Sequence, residues 1–254
     1  MHGHLCQMCC KTSTKNFPEL AYIKLKQVYS KIMSERTATI IGATGMIGNY
    51  LLELLLKDNY FSTIRILVRR PYKKTDPKME VKLADFNDAE SFKLALEGSD
   101  VIFSCIGTTQ KNVKGDTDLY RRIDFDIPLK AARFAKEIGC EKFILVSSVG
   151  ANSHSPTFYL RLKGELENAI RSVALDTVHI MQPSMLLGER KEKRAGERML
   201  QATMKLTSVL LFGSGRKYKA IHGKTVAAAM LNAAKRNGKG FFRYTYDGIK
   251  ELSR

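Results

Sequence analysis

With 254 residues and 44% apolar side chains the chain can bury one substantial core, and no apolar run approaches the ~18 residues of a membrane span. The net charge is +17, but the basic residues are dispersed, and the densest run, Arg190-Lys191-Glu192-Lys193-Arg194, contains an acid. That distribution reads as a solvated face rather than a specific nucleic-acid surface, with an anionic cofactor and substrate using part of it.

Of the five cysteines only Cys105 and Cys140 lie beyond residue 10, which argues against a disulfide framework and for a reducing, cytoplasmic setting. Residues 1–32 differ in character from the rest of the chain. Met33-Ser34-Glu35-Arg36 precedes the first strand as a natural start would, so residues 1–32 are expected to lie outside the fold and 33–254 to form one domain. The early segment lacks both the apolar core of a secretory signal and the arginines of a transit peptide. Its His2, His4, Cys6, Cys9 and Cys10 include one C-x-x-C with no distant partner pair, so no metal site is expected.

From Thr37 strands and helices alternate. The first strand is predicted at about 37–42 and the first helix at about 46–57, joined by Gly42-Ala43-Thr44-Gly45-Met46-Ile47-Gly48. Strand, glycine turn and helix in that order form a dinucleotide-binding pattern. Gly42 allows the sharp turn, Gly45 removes the Cβ that would block a pyrophosphate, and Gly48 lets the helix lie close to the strand. The N–H groups opening the helix, around Thr44 to Ile47, are offered to phosphates. The G-x-x-G-x-x-G spacing resembles the extended and atypical short-chain dehydrogenases/reductases.

Strand 2 is predicted at 64–68 and ends in Arg69-Arg70-Pro71. An NAD-preferring site places an acid about 20 residues beyond the glycines; two guanidinium forks there instead suit the 2′-phosphate of NADP(H). Strand 3 is predicted at 81–84, a helix at 89–97 with Asp88 as its N-cap, and strand 4 at 101–105. Cys105-Ile106-Gly107 follow at a carboxyl strand end, where ligands of parallel sheets sit, so Gly107 can let backbone pass near the cofactor; Cys105 reads as cleft wall rather than nucleophile. A helical stretch over 117–138 ends at Gly139 and is expected to break near Asp126 because of Pro128. Strand 5 at 142–147, a helix at 158–172 and strand 6 at 177–181 follow. The alternation predicts an α/β, Rossmann-like, doubly wound parallel sheet. The part after Ser184, with helical stretches near 196–207 and 224–234, is too short for a second Rossmann half and is expected to cover the cleft.

Tyr159 and Lys163 share one helical face, where the ammonium favours ionisation of a phenol acting as general acid or base toward a carbonyl or alcohol. The same spacing recurs at Tyr22/Lys26 and Tyr246/Lys250, but only the middle pair follows strand 5 and Ser147-Ser148.

Ser104 to Thr109, Ser147 to Ala151, Tyr159 to Glu165, Gln182-Pro183 with Leu186-Leu187, and Arg190 to Glu197 resemble the Tat-interacting oxidoreductase-like proteins, which are atypical short-chain dehydrogenases. The resemblance covers about 37–234. It implies NADP(H) held by the glycine turn, Arg69, Arg70, Tyr159 and Lys163, with Cys105, Ile106, Gly107 and Pro183 lining the cleft. For the wider superfamily it implies an adenine contact from Asp85, a carbonyl-orienting serine (Ser148 first, Ser147 second), Tyr159 as proton donor and Lys163 on the nicotinamide ribose. Gln182 and Ser184 depart from the Arg and Gly expected around Pro183. Some members of the group serve as regulators. Three functions therefore stand beside one another: an NADP-dependent oxidoreductase on a small carbonyl or alcohol, an NADPH-sensing module for a protein partner, and a nucleotide-sugar epimerase or dehydratase. The Tyr159/Lys163 pair favours the first, and the short tail disfavours the third.

Overall fold

The computed structural model describes residues 35–73, 75–188 and 213–254. The expectations for residues 1–32 and for the helix near 196–207 fall outside the described residues.

Seven parallel strands form one sheet: β1 (Thr37–Ile41), β2 (Thr63–Val68), β3 (Met79–Leu83), β4 (Val101–Ser104), β5 (Lys142–Val146), β6 (Thr177–Met181) and β9 (Gly240–Tyr244), in the order β3-β2-β1-β4-β5-β6-β9. The order reverses at β1, between β2 and β4. That switch point is where an open α/β sheet leaves a crevice at its carboxyl edge. Two short strands, β7 (Leu186–Leu187) and β8 (Ile221–His222), pair separately.

Each face of the sheet is closed by helices, as buried parallel strands require. One carries α1 (Met46–Lys57) and α6 (Gly223–Lys235), packed through Ile47, Leu51, Leu55, Val226 and Met230 onto Ile40, Ile64 and Phe103. The other carries α2 (Ala89–Leu96), α4 (Ile127–Glu137) and α5 (Phe158–Ser172), whose Phe92, Ala132, Leu166 and Ile170 meet Ile41, Phe143 and Ile180. Each fully buried large apolar side chain contributes about 1.5–3 kcal/mol. The segment after Ser184 supplies more of the sheet than its pattern indicated. It contributes β9, α6 and a final helix α7 (Tyr246–Leu252). Among the described residues no helix is long and apolar enough to cross a membrane.

The stretch expected to break near Asp126 does not break. It runs as α3 (Thr117–Arg121), a π-helical turn at Arg122–Asp126, and α4. Pro128 has no N–H for the carbonyl four residues back, and the helix widens to absorb it: Ile127 N–H donates to Arg122, five residues earlier. Asp88 caps α2 by accepting from the Glu90 and Ser91 N–H groups.

His179, 2% exposed in β6, lies stacked against both Phe242 and Tyr244, with Nδ1 3.0 Å from the Tyr244 hydroxyl. Burial, then the charges of Lys142 and Arg236, hold its pKa down at about 4. The imidazole is neutral in the fold but charges near pH 6.5 in the unfolded chain. Stability from this residue is complete above pH 6.5 and is lost as pH falls through about 4, by ~2–3 kcal/mol in total. Urea melts across that range should show this loss in the wild type and a smaller one in His179→Gln. Parallel pH profiles of the two proteins would contradict it.

Candidate functional site

The turn between β1 and α1 sits at the switch point. Gly42 has φ +89°, and a Cβ there would lie 2.8 Å from backbone atoms of Cys105 and Ile106. At Gly48 a Cβ would drive into the Gly42 carbonyl oxygen. These two glycines are demanded by the protein's own packing. Gly45 is different. Its backbone is extended (φ −76°), and a Cβ would make only ordinary contacts, 3.4 Å from the Gly42 oxygen and 4.0 Å from that of Cys105. Nothing in the described chain requires glycine there, whereas a diphosphate seated on the helix end would.

Thr44 and Gly45 are exposed, no side chain caps α1, and its first turn holds no acid. Met46 turns instead toward the C-terminal segment, where its sulfur lies against Gly188 and Gly223, and Ile47 is in the core. These two can offer a ligand only backbone N–H groups. The turn thus fits a dinucleotide phosphate.

Arg69 and Arg70 are exposed just past the carboxyl end of β2, the strand beside β1. Asp85 is exposed past β3, its Oδ1 accepting from the Asn87 N–H and Nδ2 at 2.9 and 3.0 Å. After β4, Cys105 and Ile106 are half-buried and Gly107 is exposed. Burial pushes the Cys105 thiol up to about 12, so it is not a thiolate at neutral pH and does not suit a nucleophile.

Tyr159 and Lys163 lie one turn apart on α5. The helix is drawn onto the loop after β5 at Gly164, where a Cβ would collide with the Asn152 and Ser153 backbone, and the Asn152 N–H bonds the Leu160 carbonyl at 3.1 Å. The two serines part company. Ser147 is buried and donates to Glu167 at 2.6 Å. Ser148 is half-buried, its hydroxyl reaching only the Val149 carbonyl at 3.3 Å among the described residues, and so is the freer for a ligand. Tyr159 is half-buried, its ring meeting Tyr120 edge-on at 6.4 Å.

One residue was not anticipated. Asp124, in the π-helical turn, pairs with Lys163 at 2.9 Å, and both side chains are almost fully buried. Its other oxygen accepts from the Thr108 N–H at 2.7 Å, tying the loop after β4 to the lysine. Lys163 is held above the usual lysine pKa: burial alone would lower it, and Asp124, Tyr159 and Glu167 together outweigh burial.

Gln182 does not face the cleft. It is buried and donates to both Glu167 oxygens, at 2.8 and 3.1 Å, and Arg243 of β9 donates to the same carboxylate at 2.7 Å. Gln182 and a guanidinium from another strand thus share one buried carboxylate. The buried Pro183 carbonyl accepts from the Val149 N–H at 3.0 Å, joining the ends of β5 and β6. Ser184 donates to the Lys219 carbonyl.

A family model described as NAD(P)H-binding matches residues 42–237. The rat protein HTATIP2 is 33% identical over 221 residues, spanning 86% of this chain and 88% of its own. Protein FMP52 of Debaryomyces hansenii, named mitochondrial, is 37% identical over 159 residues, 62% of this chain and 70% of its own. Among solved structures, a UDP-N-acetylglucosamine 4-epimerase from Methanobrevibacter ruminantium M1 superposes with TM-score 0.63 at 18% identity, over 84% of this chain and 77% of that one. MoeE5, in complex with UDP-glucose and NAD, gives 0.63 at 14%, over 85% and 79%. At these identities the structural likeness concerns the fold.

Proposed function

Because the chain belongs to the NAD(P)H-binding, atypical short-chain dehydrogenase-like family that includes HTATIP2 and FMP52, we propose that it is an NADP(H)-dependent oxidoreductase acting on a small carbonyl or alcohol. The observation that carries this reading is the ordered pair on α5. Lys163 is anchored by Asp124, and Tyr159 is half-buried one turn before it, on the helix that the loop bearing Ser148 is bonded to. A protein that only bound the cofactor would not need the phenol.

When bound, the nicotinamide supplies or accepts the hydride. The residues do the rest. The N–H groups opening α1 hold the diphosphate, Ser148 orients the substrate oxygen, and Tyr159 exchanges a proton with it. Lys163 holds the ribose and steadies charge on the phenol. Asp85 meets the adenine end. The cytoplasmic placement is a reading of cysteine usage; the FMP52 relatives carry a mitochondrial name.

Arg69 and Arg70 are the residues proposed to read the 2′-phosphate. A charged hydrogen bond is worth ~1.5–3 kcal/mol. Replacing both arginines by Ala should therefore weaken NADPH at least about tenfold more than NADH. Equal losses for the two cofactors in calorimetry would remove the arginines from that role. The function itself is tested by following NADPH consumption with a panel of small aldehydes and ketones. Turnover of at least one carbonyl supports the enzyme. NADPH binding without turnover across a broad panel points instead to a cofactor-controlled binding module.

A further inference from the structure

Among the described residues β3 pairs with β2 alone, so one side of this strand is an open sheet edge. In the β2–β3 ladder the Ile64 N–H donates to the Lys78 carbonyl at 2.7 Å and the Ala84 N–H to the Val68 carbonyl at 3.1 Å. Glu80 and Lys82 therefore turn their backbone groups toward β2, while Met79, Val81 and Leu83 turn theirs away from the sheet. The Met79 N–H is taken by the Asp76 carbonyl at 2.9 Å. The outward N–H and C=O groups of Val81 and Leu83 have no partner among the described residues.

Natural sheet edges are blunted by charge, by proline or by a covering segment. Here one face of the edge is apolar. Val81 is 37% and Leu83 62% exposed, in line with Met79, which leans on the core. The other face carries Glu80 and Lys82, an ion pair at 2.9 Å, with Glu80 also held by Arg65 at 2.7 Å. The order Met79-Glu80-Val81-Lys82-Leu83 is thus complementary to its own reverse: apolar falls on apolar, and acid on base.

We propose that β3 docks a second copy of this chain, antiparallel, about a two-fold axis at Val81. Val81 then exchanges both backbone hydrogen bonds with the partner's Val81, and each Leu83 N–H reaches the partner's Met79 carbonyl. Glu80 faces the partner's Lys82, and Lys82 faces the partner's Glu80. Those are the positions without ladder hydrogen bonds, where opposite side chains come closest. The charges also select the register. Moving the axis by one residue sets Glu80 against the partner's Glu80, or Lys82 against the partner's Lys82, and like charges directly opposite are destabilising. A two-fold contact closes on itself, so it yields a dimer with one continuous sheet and no fibre. The other edge, β9, lacks this complementarity: its charged residue, Arg243, is bound to Glu167, and the strand has no acid to set against it.

The test is sedimentation velocity on the full chain from about 1 μM to about 100 μM, a range suited to a small interface. The wild type should pass reversibly from monomer to dimer. Val81→Lys sets an ammonium against its own copy, and Lys82→Glu sets acid against acid. Both positions lie on the exposed edge, so melting temperatures should hold while the dimer dissociation constant rises at least about tenfold. Glu80→Lys should weaken the dimer alike. Mixed in equal parts with Lys82→Glu it should restore dimers, because every cross-strand pair is opposite again. Val81→Lys and Lys82→Glu keep the test decisive where Glu80→Lys, now beside Arg65, does not fold. Amide hydrogen exchange over 79–83 should slow as protein concentration rises.

A wild type that stays monomeric throughout overturns the proposal. So does a dimer that Val81→Lys and Lys82→Glu leave intact, because the contact then lies on another surface. Folded charge variants that fail to pair when mixed refute the register. Slow exchange over 79–83 in the monomer at every concentration gives the edge to another segment of the same chain and removes the second copy.

Discussion

Tyr159→Phe should lower NADPH-dependent carbonyl reduction by ~10²–10⁴-fold, the usual range for a positioned general acid. That is about 3–5 kcal/mol of transition-state stabilisation. The ring is half-buried against Tyr120, and phenylalanine preserves that packing, so cofactor affinity and melting temperature should hardly change. Lys163→Ala is a less clean comparison. It removes a ribose contact, and it strands the Asp124 carboxylate in a buried site. Breaking a buried pair from one side costs ~3–5 kcal/mol, so a loss of turnover in that variant must be read beside its melting curve. Equal carbonyl reduction with and without the phenol would remove Tyr159 as the acid.

Gly48→Ala should damage the fold itself. The added carbon would meet the Gly42 carbonyl oxygen, which is backbone and already accepts from the Gly45 N–H at 3.0 Å. Relief requires α1 to move off β1 and to loosen its contact with α6. Overpacking in a tight core costs ~1–3 kcal/mol and occasionally more, and this contact belongs at the upper end because neither partner is a flexible side chain. Urea denaturation should show the loss, together with weak cofactor binding. A variant as stable as the wild type would mean that the close approach of helix and strand is not maintained in solution.

Several features were legible because they depend on local order. The glycine turn announces itself through its strand and helix, and the Tyr/Lys spacing that follows strand 5 falls on α5, as the pattern indicated. Strand alternation carried the sheet as far as β6. What was missed depends on tertiary partners. Asp124 lies in a stretch where Pro128 predicted a break; a π-helical turn keeps the helix continuous and the carboxylate buried. One local signal pointed there, since a proline four residues on deprives the Asp124 carbonyl of its usual donor. Gly164 looked like an ordinary helical residue, and only the loop pressed against it shows why a side chain is excluded. Gln182 shares the Glu167 carboxylate with Arg243, on a strand distant in sequence, and β9 itself, with Arg243 between aromatic residues, has no clear alternation.

Gly45 separates the protein's needs from the ligand's. Its Cβ position is clear of close contact with the described chain, and its backbone angles suit alanine. The most direct measurement is a calorimetric titration of NADPH into the wild type and Gly45→Ala, each with its melting temperature. The wild type should bind. Gly45→Ala should melt within about 2 °C of it, or slightly higher because the unfolded chain is less free, and should bind NADPH at least about tenfold more weakly, a loss of ~1.4 kcal/mol. Undiminished NADPH affinity in a stably folded Gly45→Ala, or no NADPH binding by the wild type, would contradict a cofactor seated on this turn.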